Sequence, residues 1–174
     1  PYAHQPQWAT SMQVNGTPHS RWQVVATHAD GRRDSSAVVM PWTQPMQRLQ
    51  LDKPTAGYGY DYTPNDCSVG DVDGDGQYEL FVKWEPTNAR DNSTDGITGP
   101  VFIDCYKLNL QGDGQATRLW RINLGENIRA GAHYTQFMVY DFDGDGRAEM
   151  MCKTAPGSVD GTGRYVSQAA TDST

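Results

Sequence analysis

The chain has 174 residues with a formal net charge of -7, 37% of them hydrophobic and 20% charged. That length accommodates one domain, or a small one with part of another. The acidic balance argues against nucleic acid or an anionic membrane as partner, and no apolar run approaches membrane-spanning length. The chain opens on Pro1-Tyr2-Ala3, without an initiator Met or a basic-then-apolar leader, and reads as the middle of something larger.

In chain order, Gln5 to Pro18 has no regular pattern. Arg21 to Thr27 reads as a strand, Ala29-Asp30-Gly31 as a turn, and Ser36 to Met40 as the returning strand. This has the shape of the last hairpin of a β-sandwich, which needs about seven strands in all. Pro41 to Gly59 is a Pro-rich connector in which Met46 to Leu51 is expected to form one strand, and a domain boundary is expected near residue 52. The expected organisation is therefore 1–51 for the end of a small sandwich-like domain and its linker, and 52–174 for a second domain.

From residue 52 onward the pattern is all β. A strand around Val69 leads into Asp71 to Glu79, D-V-D-G-D-G-Q-Y-E, and Leu80 to Trp84 leads out. A polar loop runs from Glu85 to Gly99, then a strand from Val101 to Leu108, a Gly/Asp turn at 111–115 and a strand from Thr117 to Leu124. Seventy residues after the first loop, Thr135 to Tyr140 leads into D-F-D-G-D-G-R-A-E, Asp141 to Glu149, and Ala148 to Lys153 leads out. Strand pairs that repeat with one Asp loop each suggest blades of a β-propeller, and at this spacing the chain holds about two.

Each loop sets carboxylates at positions 1, 3, 5 and 9 of nine residues, with glycines between them that let the backbone fold tightly. At ~4 Å, each like-charge pair costs about 1 kcal/mol in water and about 4 at an effective dielectric of 20, so such a loop calls for a hard, oxygen-seeking cation. Ca²⁺ is the first candidate. An EF-hand is excluded, because position 12 is Val82 in one copy and Cys152 in the other, where a bidentate Glu is required, and because the flanks are strands. The expected ligands are Asp71, Asp73, Asp75, Glu79 and the carbonyl of Gln77 in one site, and Asp141, Asp143, Asp145, Glu149 and the carbonyl of Arg147 in the other. Lys83 and Lys153 follow at equal offsets, which favours a repeated structural role. Cys67, Cys105 and Cys152 lie in apolar strand patterns without metal-ligand spacing and read as small core residues. Weak, rigid Asp-rich sites suit millimolar extracellular Ca²⁺, so secretion is expected.

The stretch N-D-C-S-V-G-D-V-D-G-D-G-Q-Y-E-L-F-V-K-W-E-P-T-N (Asn65 to Asn88), with V-F-I-D-C-Y-K-L (Val101 to Leu108) and L-W-R-I-N-L-G-E-N-I-R-A-G-A-H-Y-T-Q-F-M-V-Y-D-F-D-G-D-G-R-A-E (Leu119 to Glu149), resembles the rhamnogalacturonan lyases of polysaccharide lyase family 11. The resemblance is dense from about Tyr58 to Gly161. It implies an all-β fold in which this chain is part of an eight-bladed, calcium-binding propeller preceded by the end of a small β-sandwich-like domain. It also implies secretion, a full-length monomer, and β-elimination between rhamnose and galacturonate of an acidic plant cell-wall polysaccharide, rhamnogalacturonan I. By the same resemblance Asn65 and Glu85 match positions that face the sugar, although Glu85 stands where the family more often has Asp. The basic and tyrosyl groups of the far side of the family's cleft lie in later blades, and 110–116 looks like an insertion in a turn the family keeps short.

The local readings stay open beside this. Asn65-Asp66 also fits an Asx turn. Arg129 and His133, in N-I-R-A-G-A-H-Y, are the best local candidates for anion binding or proton transfer, and a packed His fits equally well. Asn88, Asp91 and Asn92 lie in a polar loop at a strand end, a suitable substrate edge or simply a solvated loop. Trp84 and Trp120 fit core better than sugar stacking. The competing functional class is a non-catalytic, calcium-dependent propeller for adhesion or carbohydrate binding; hydrolysis by two carboxylates is a third reading, although most of the acids look committed to metal.

Overall fold

The computed structural model describes residues 13, 15–17, 19–40, 46–109 and 115–166, so most of Gln5 to Pro18, the start of the connector and most of the expected insertion over 110–116 lie outside the described residues. The chain divides into two units, Pro1–Arg48 and Leu49–Thr174. The described residues form eight strands and no helix.

In the first unit, β1 (Val25–Thr27) pairs antiparallel with β2 (Arg33–Ser35), Thr27 opposite Arg33. The return strand begins at Arg33, three residues earlier than the sequence suggests. The reason is the turn: Gly31 sits at φ 83°, the Gly31 amide donates to the His28 carbonyl at 3.0 Å and the His28 amide to the Arg32 carbonyl at 2.8 Å, so pairing resumes at once. The expected strand over Ser36 to Met40 is reduced to a single bridge between Val39 and Trp22. All six strand residues are exposed.

The second unit is built on a four-stranded antiparallel meander, β3 (Tyr62–Gly70), β4 (Glu79–Pro86), β5 (Phe102–Leu108) and β6 (Ala116–Asn123), in that spatial order. A hairpin of β7 (Phe137–Tyr140) and β8 (Glu149–Cys152) follows, with β7 packed against β3. β4 is interior and buried on both faces. Leu80, Val82 and Trp84 meet Tyr62, Tyr106, Leu51 and Tyr60 on one side. On the other, Phe81 stacks edge-on against Trp120, which joins Val101, Ile103, Leu124, Phe137 and Met150. This alternation explains why β4 reads as a nearly continuous apolar run.

Three expectations change. Met46 to Leu51 forms no strand; Gln50 makes one bridge to Gln115, and the connector is held instead by Leu51 in the core and by an ion pair of Asp52 with Arg118. The strand at Leu80 to Trp84 extends through Pro86, so Glu85 lies in the ladder, not in the polar loop. Cys105 is buried and Cys152 half-buried, but Cys67 is exposed, because β3 edges its sheet and its residues from Thr63 to Cys67 have no layer over them. All three thiols are free.

Asp104 is fully buried on β5 and receives four hydrogen bonds: Trp84 Nε1 at 2.8 Å, Tyr106 Oη at 2.6 Å, and Arg121 Nε and Nη2, both at 2.7 Å. Arg121 Nη2 and Tyr106 Oη also reach the Asp52 carbonyl, tying the connector to the sheet. Burial, aided by the hydrogen bond to Asp104, pushes the Tyr106 phenol up to about 12, so it stays a donor at every physiological pH. Removing one member of a buried, paired network leaves the others desolvated without partners. Asp104→Ala is therefore expected to cost about 3–5 kcal/mol, read as an earlier denaturant midpoint for the full-length protein; an unchanged midpoint contradicts this role for the network.

Candidate functional site

The two Asp loops, one between β3 and β4 and one between β7 and β8, have the same backbone-amide hydrogen bonds. Asp71 Oδ1 accepts from the amides of Gly74 (2.7 Å) and Asp75 (3.2 Å), and its Oδ2 from Gly76 (2.8 Å). Asp141 does the same with Gly144 (2.7 Å), Asp145 (3.1 Å) and Gly146 (2.9 Å). Gln77 and Arg147 donate their amides to Asp75 and Asp145, each at 2.8 Å, and Val72 and Phe142 donate theirs to Glu79 and Glu149, each at 2.9 Å. Gly74, Gly76, Gly144 and Gly146 lie between φ 77° and 90°, where a side chain would be strained, which is why the pattern demands glycine there. In each loop the first Asp organises the backbone, and its amides offset part of the carboxylate repulsion.

Each loop gathers three carboxylates whose oxygens lie within 4.8 Å of one another and that could hold a metal ion: Asp71, Asp73 and Glu79, and Asp141, Asp143 and Glu149. Glu79 is 1% exposed, and its Oε1 has no hydrogen-bond partner while its Oε2 takes the Val72 amide. A buried carboxylate oxygen that accepts no hydrogen bond, and faces only the Lys107 ammonium at 3.5 Å, fits a hard cation in an all-oxygen cluster. The fifth-position acids border these clusters: Asp75 accepts from the Gln77 amide and from Lys107, and Asp145 from the Arg147 amide. Lys107 Nζ, which no motif in the sequence marks, lies 2.5 Å from Asp73 and 2.7 Å from Asp75. Its hydrogen bond holds the Asp75 carboxyl below the usual carboxylate range. The signal for it is the β4–β5 register, Leu80 opposite Tyr106, which brings Lys107 alongside Glu79.

The second feature is a bulge in β3. The β3–β4 register shifts between Pro64 and Cys67, and the bulge carries Asn65 and Asp66, which therefore lie in a strand and not in an Asx turn. Asn65 Nδ2 donates to Glu85 Oε2 at 3.0 Å, and the buried Lys83 ion-pairs with Asp66. Lys83 is thus structural, while Lys153 is exposed. Glu85 in turn lines an open concavity of about 320 Å³ together with Ala89, Arg90, Asp91, Gly131, Ala132 and His133.

The wall of this concavity is clamped. Arg129 donates to four backbone carbonyls of the facing loop, those of Arg90 (3.1 Å), Asp91 (3.0 Å), Gly96 (3.0 Å) and Thr94. Tyr134 Oη accepts the Asn92 amide at 2.9 Å and donates to Asp91 at 3.0 Å, and Asn88 Oδ1 accepts the Gly99 amide at 2.9 Å. A Cβ on Gly131 would come within 2.9 Å of the Arg90 carbonyl, so the two segments touch closely. Hydrogen bonds from Ser93, assisted by Tyr134, hold the Asp91 carboxyl below its usual range. Of the expected sugar-facing and catalytic residues, Glu85 and His133 share the concavity, Asn65 reaches it through Glu85, Asn88 closes the loop base, and Arg129 serves as the staple. Trp84 is buried, with its indole N–H on Asp104, and belongs to the core.

Residues 42–174 match the family model for the C-terminal domain of rhamnogalacturonan lyase family 11. The chain is 55% identical over 163 residues to the rhamnogalacturonan endolyase YesW of Bacillus subtilis, covering 91% of this chain and 25% of that protein. It is 50% identical over 163 residues to the rhamnogalacturonan exolyase YesX of the same organism, covering 91% of this chain and 26% of the relative. The solved structure of YesW is similar with a TM-score of 0.74 over 89% of this chain and 26% of that one. The rhamnogalacturonan lyase PL11 of Bacillus licheniformis is similar with a TM-score of 0.74 at 50% identity, over 91% of this chain and 27% of that one. The chain thus spans about a quarter of the length of the relatives it matches.

The clamp generates an expectation. Arg129→Met removes four bonds to carbonyls of the loop from Arg90 to Gly96 while keeping the aliphatic stem, so amide hydrogen exchange over 90–99 is expected to rise at least about tenfold, one to two of those bonds' net worth. Unchanged exchange there contradicts the staple.

Proposed function

The chain belongs to rhamnogalacturonan lyase family 11, and from that premise we propose that the full-length protein is a rhamnogalacturonan lyase, cleaving between rhamnose and galacturonate by β-elimination. The observation that carries this is the match to the family model over residues 42–174 with 55% identity to a rhamnogalacturonan endolyase. The meander β3–β6 reads as one propeller blade and β7–β8 as the first half of the next, with an Asp loop at the same place in each. The protein is read as secreted, and as a monomer at full length.

Elimination requires three things: the uronate carboxylate neutralised so that the C5 proton becomes acidic, a base to take that proton, and stabilisation of the departing C4 oxygen. Residues here supply binding and orientation. Glu85 is held by the Asn65 amide on one oxygen and accepts from a sugar hydroxyl on the other, and the free Asn65 carbonyl oxygen offers a further acceptor. The Asn88 amide N–H₂ completes that edge. The clamped loop keeps this edge rigid, so little ordering cost falls on sugar binding. Arg129 is spent on carbonyls, and we assign the general base to residues outside this stretch, with exposed His133 as the local alternative.

Calcium is the proposed cation of both loops, held by Asp71, Asp73, Asp75, Glu79 and the Gln77 carbonyl in the first and by Asp141, Asp143, Asp145, Glu149 and the Arg147 carbonyl in the second. The buried Glu79 Oε1, which accepts no hydrogen bond and has only the Lys107 ammonium at 3.5 Å, supports this. When bound, calcium supplies positive charge that offsets the crowded carboxylates and rigidifies the loops.

The test is to incubate the full-length protein with rhamnogalacturonan and calcium, with and without chelator, and to follow ultraviolet absorbance beside reducing ends. Elimination leaves a C4–C5 double bond conjugated to the carboxylate, so both signals are expected to rise together. Reducing ends without absorbance indicate a hydrolase, and neither signal indicates the non-catalytic binding module. Asn65→Ala and Glu85→Ala are each expected to lose about tenfold or more in kcat/KM without loss of fold.

A further inference from the structure

The two Asp loops match in every backbone-amide bond to their carboxylates, yet their surroundings differ. In the first, Lys107 reaches over from β5 to Asp73 (2.5 Å) and Asp75 (2.7 Å), and its ammonium ion-pairs at 3.5 Å with Oε1 of Glu79, which accepts no hydrogen bond. Among the described residues, no lysine or arginine ion-pairs with Asp141, Asp143, Asp145 or Glu149. Glu79 is buried and Glu149 exposed. We propose that Lys107 is a built-in counter-ion of the first loop that a divalent cation must displace from Asp73 and Asp75, so that the two loops, alike in backbone, take up cation at different concentrations.

This inference rests on the cation reading above. An ammonium and a divalent ion seek the same carboxylate oxygens, and the oxygens of Asp73 and Asp75 that Lys107 holds are the ones an entering ion needs. Exposed ion pairs are individually weak, a few tenths to one kcal/mol each, so Lys107 lowers the first loop's apparent affinity without abolishing it. The same pairs neutralise part of the repulsion before any cation arrives, so the first loop keeps more of its order under chelation than the second. The position of Lys107 on β5, whose ladder to β4 runs from Leu80 opposite Tyr106 to Trp84 opposite Phe102, then ties cation entry to the end of that ladder.

The test uses the full-length protein and site-resolved amide hydrogen exchange, following peptides over 71–79 and 141–149 across chelator-buffered calcium from nanomolar to millimolar. In the parent protein the calcium midpoint for protection of 71–79 is expected to lie above that of 141–149. Lys107→Gln is expected to lower the 71–79 midpoint about tenfold, to leave 141–149 unchanged, and to speed exchange of 71–79 in chelator. Lys107→Arg, which keeps the charge, is expected to keep the parent midpoint. A 71–79 midpoint at or below that of 141–149 in the parent overturns the proposal without any variant, as does an unmoved midpoint in Lys107→Gln. If both loops gain protection but Lys107 has no effect, the counter-ion fails and the cation reading survives; if neither loop responds at millimolar calcium, both fail.

Discussion

The carboxylate of Asp71 draws in the amides of Gly74, Asp75 and Gly76, while its backbone carbonyl accepts the amide of Ala148 from the second Asp loop at 2.7 Å. One residue thereby organises its own loop and joins the meander to the following hairpin. The junction is close: a Cβ at Gly70 would come within 2.6 Å of the Ala148 Cβ and 2.7 Å of Val139 Cγ1, so only glycine lets β3 and the hairpin approach this far. The constraint behind this arrangement is electrostatic. Acids packed into nine residues stay together only if donors or cations face them, and the loop amides, Lys107 and the oxygen-only clusters are three answers to that one demand.

A similar economy governs the face that carries the concavity. The β3 bulge turns Asn65 and Asp66 toward Glu85 and Lys83, so one irregularity both fixes the carboxylate that borders the concavity and neutralises a buried ammonium. Beyond the end of β4, the loop from Arg90 to Gly96 has little apolar substance and is held by the guanidinium of Arg129 and the phenol of Tyr134. Rigid strands and stapled loops together hold the polar groups of this face in place, so on the proposed reading a sugar would find little left to order.

The strands of the second unit were readable because β4 and β5 are apolar runs bounded by Gly and Asp, and the Asp loops because carboxylate spacing and glycine placement carry direct conformational meaning. The hairpin at Val25 to Ser35 was displaced, since turn geometry, not apolar content, decides where pairing resumes. Cys67 looked like core because sequence patterning does not reveal that β3 is an edge. Arg129 looked like a candidate for chemistry because a conspicuous cation in a Gly/Ala setting gives no hint that its partners are backbone carbonyls about 35 residues away. Lys107, Asp66 with Lys83, and the Asp104 network depend on cross-strand register, which only the folded sheet supplies.

The central claim, that the two loops are cation sites built on Asp71 and Asp141, is tested most directly by diffraction from crystals of the full-length protein grown in calcium, with anomalous differences recorded at long wavelength. The account predicts a peak in each loop, one beside Asp71, Asp73 and Glu79 and one beside Asp141, Asp143 and Glu149, with oxygen ligands at about 2.3–2.6 Å. Ordered loops without a peak at either position, in crystals kept at millimolar calcium, contradict it.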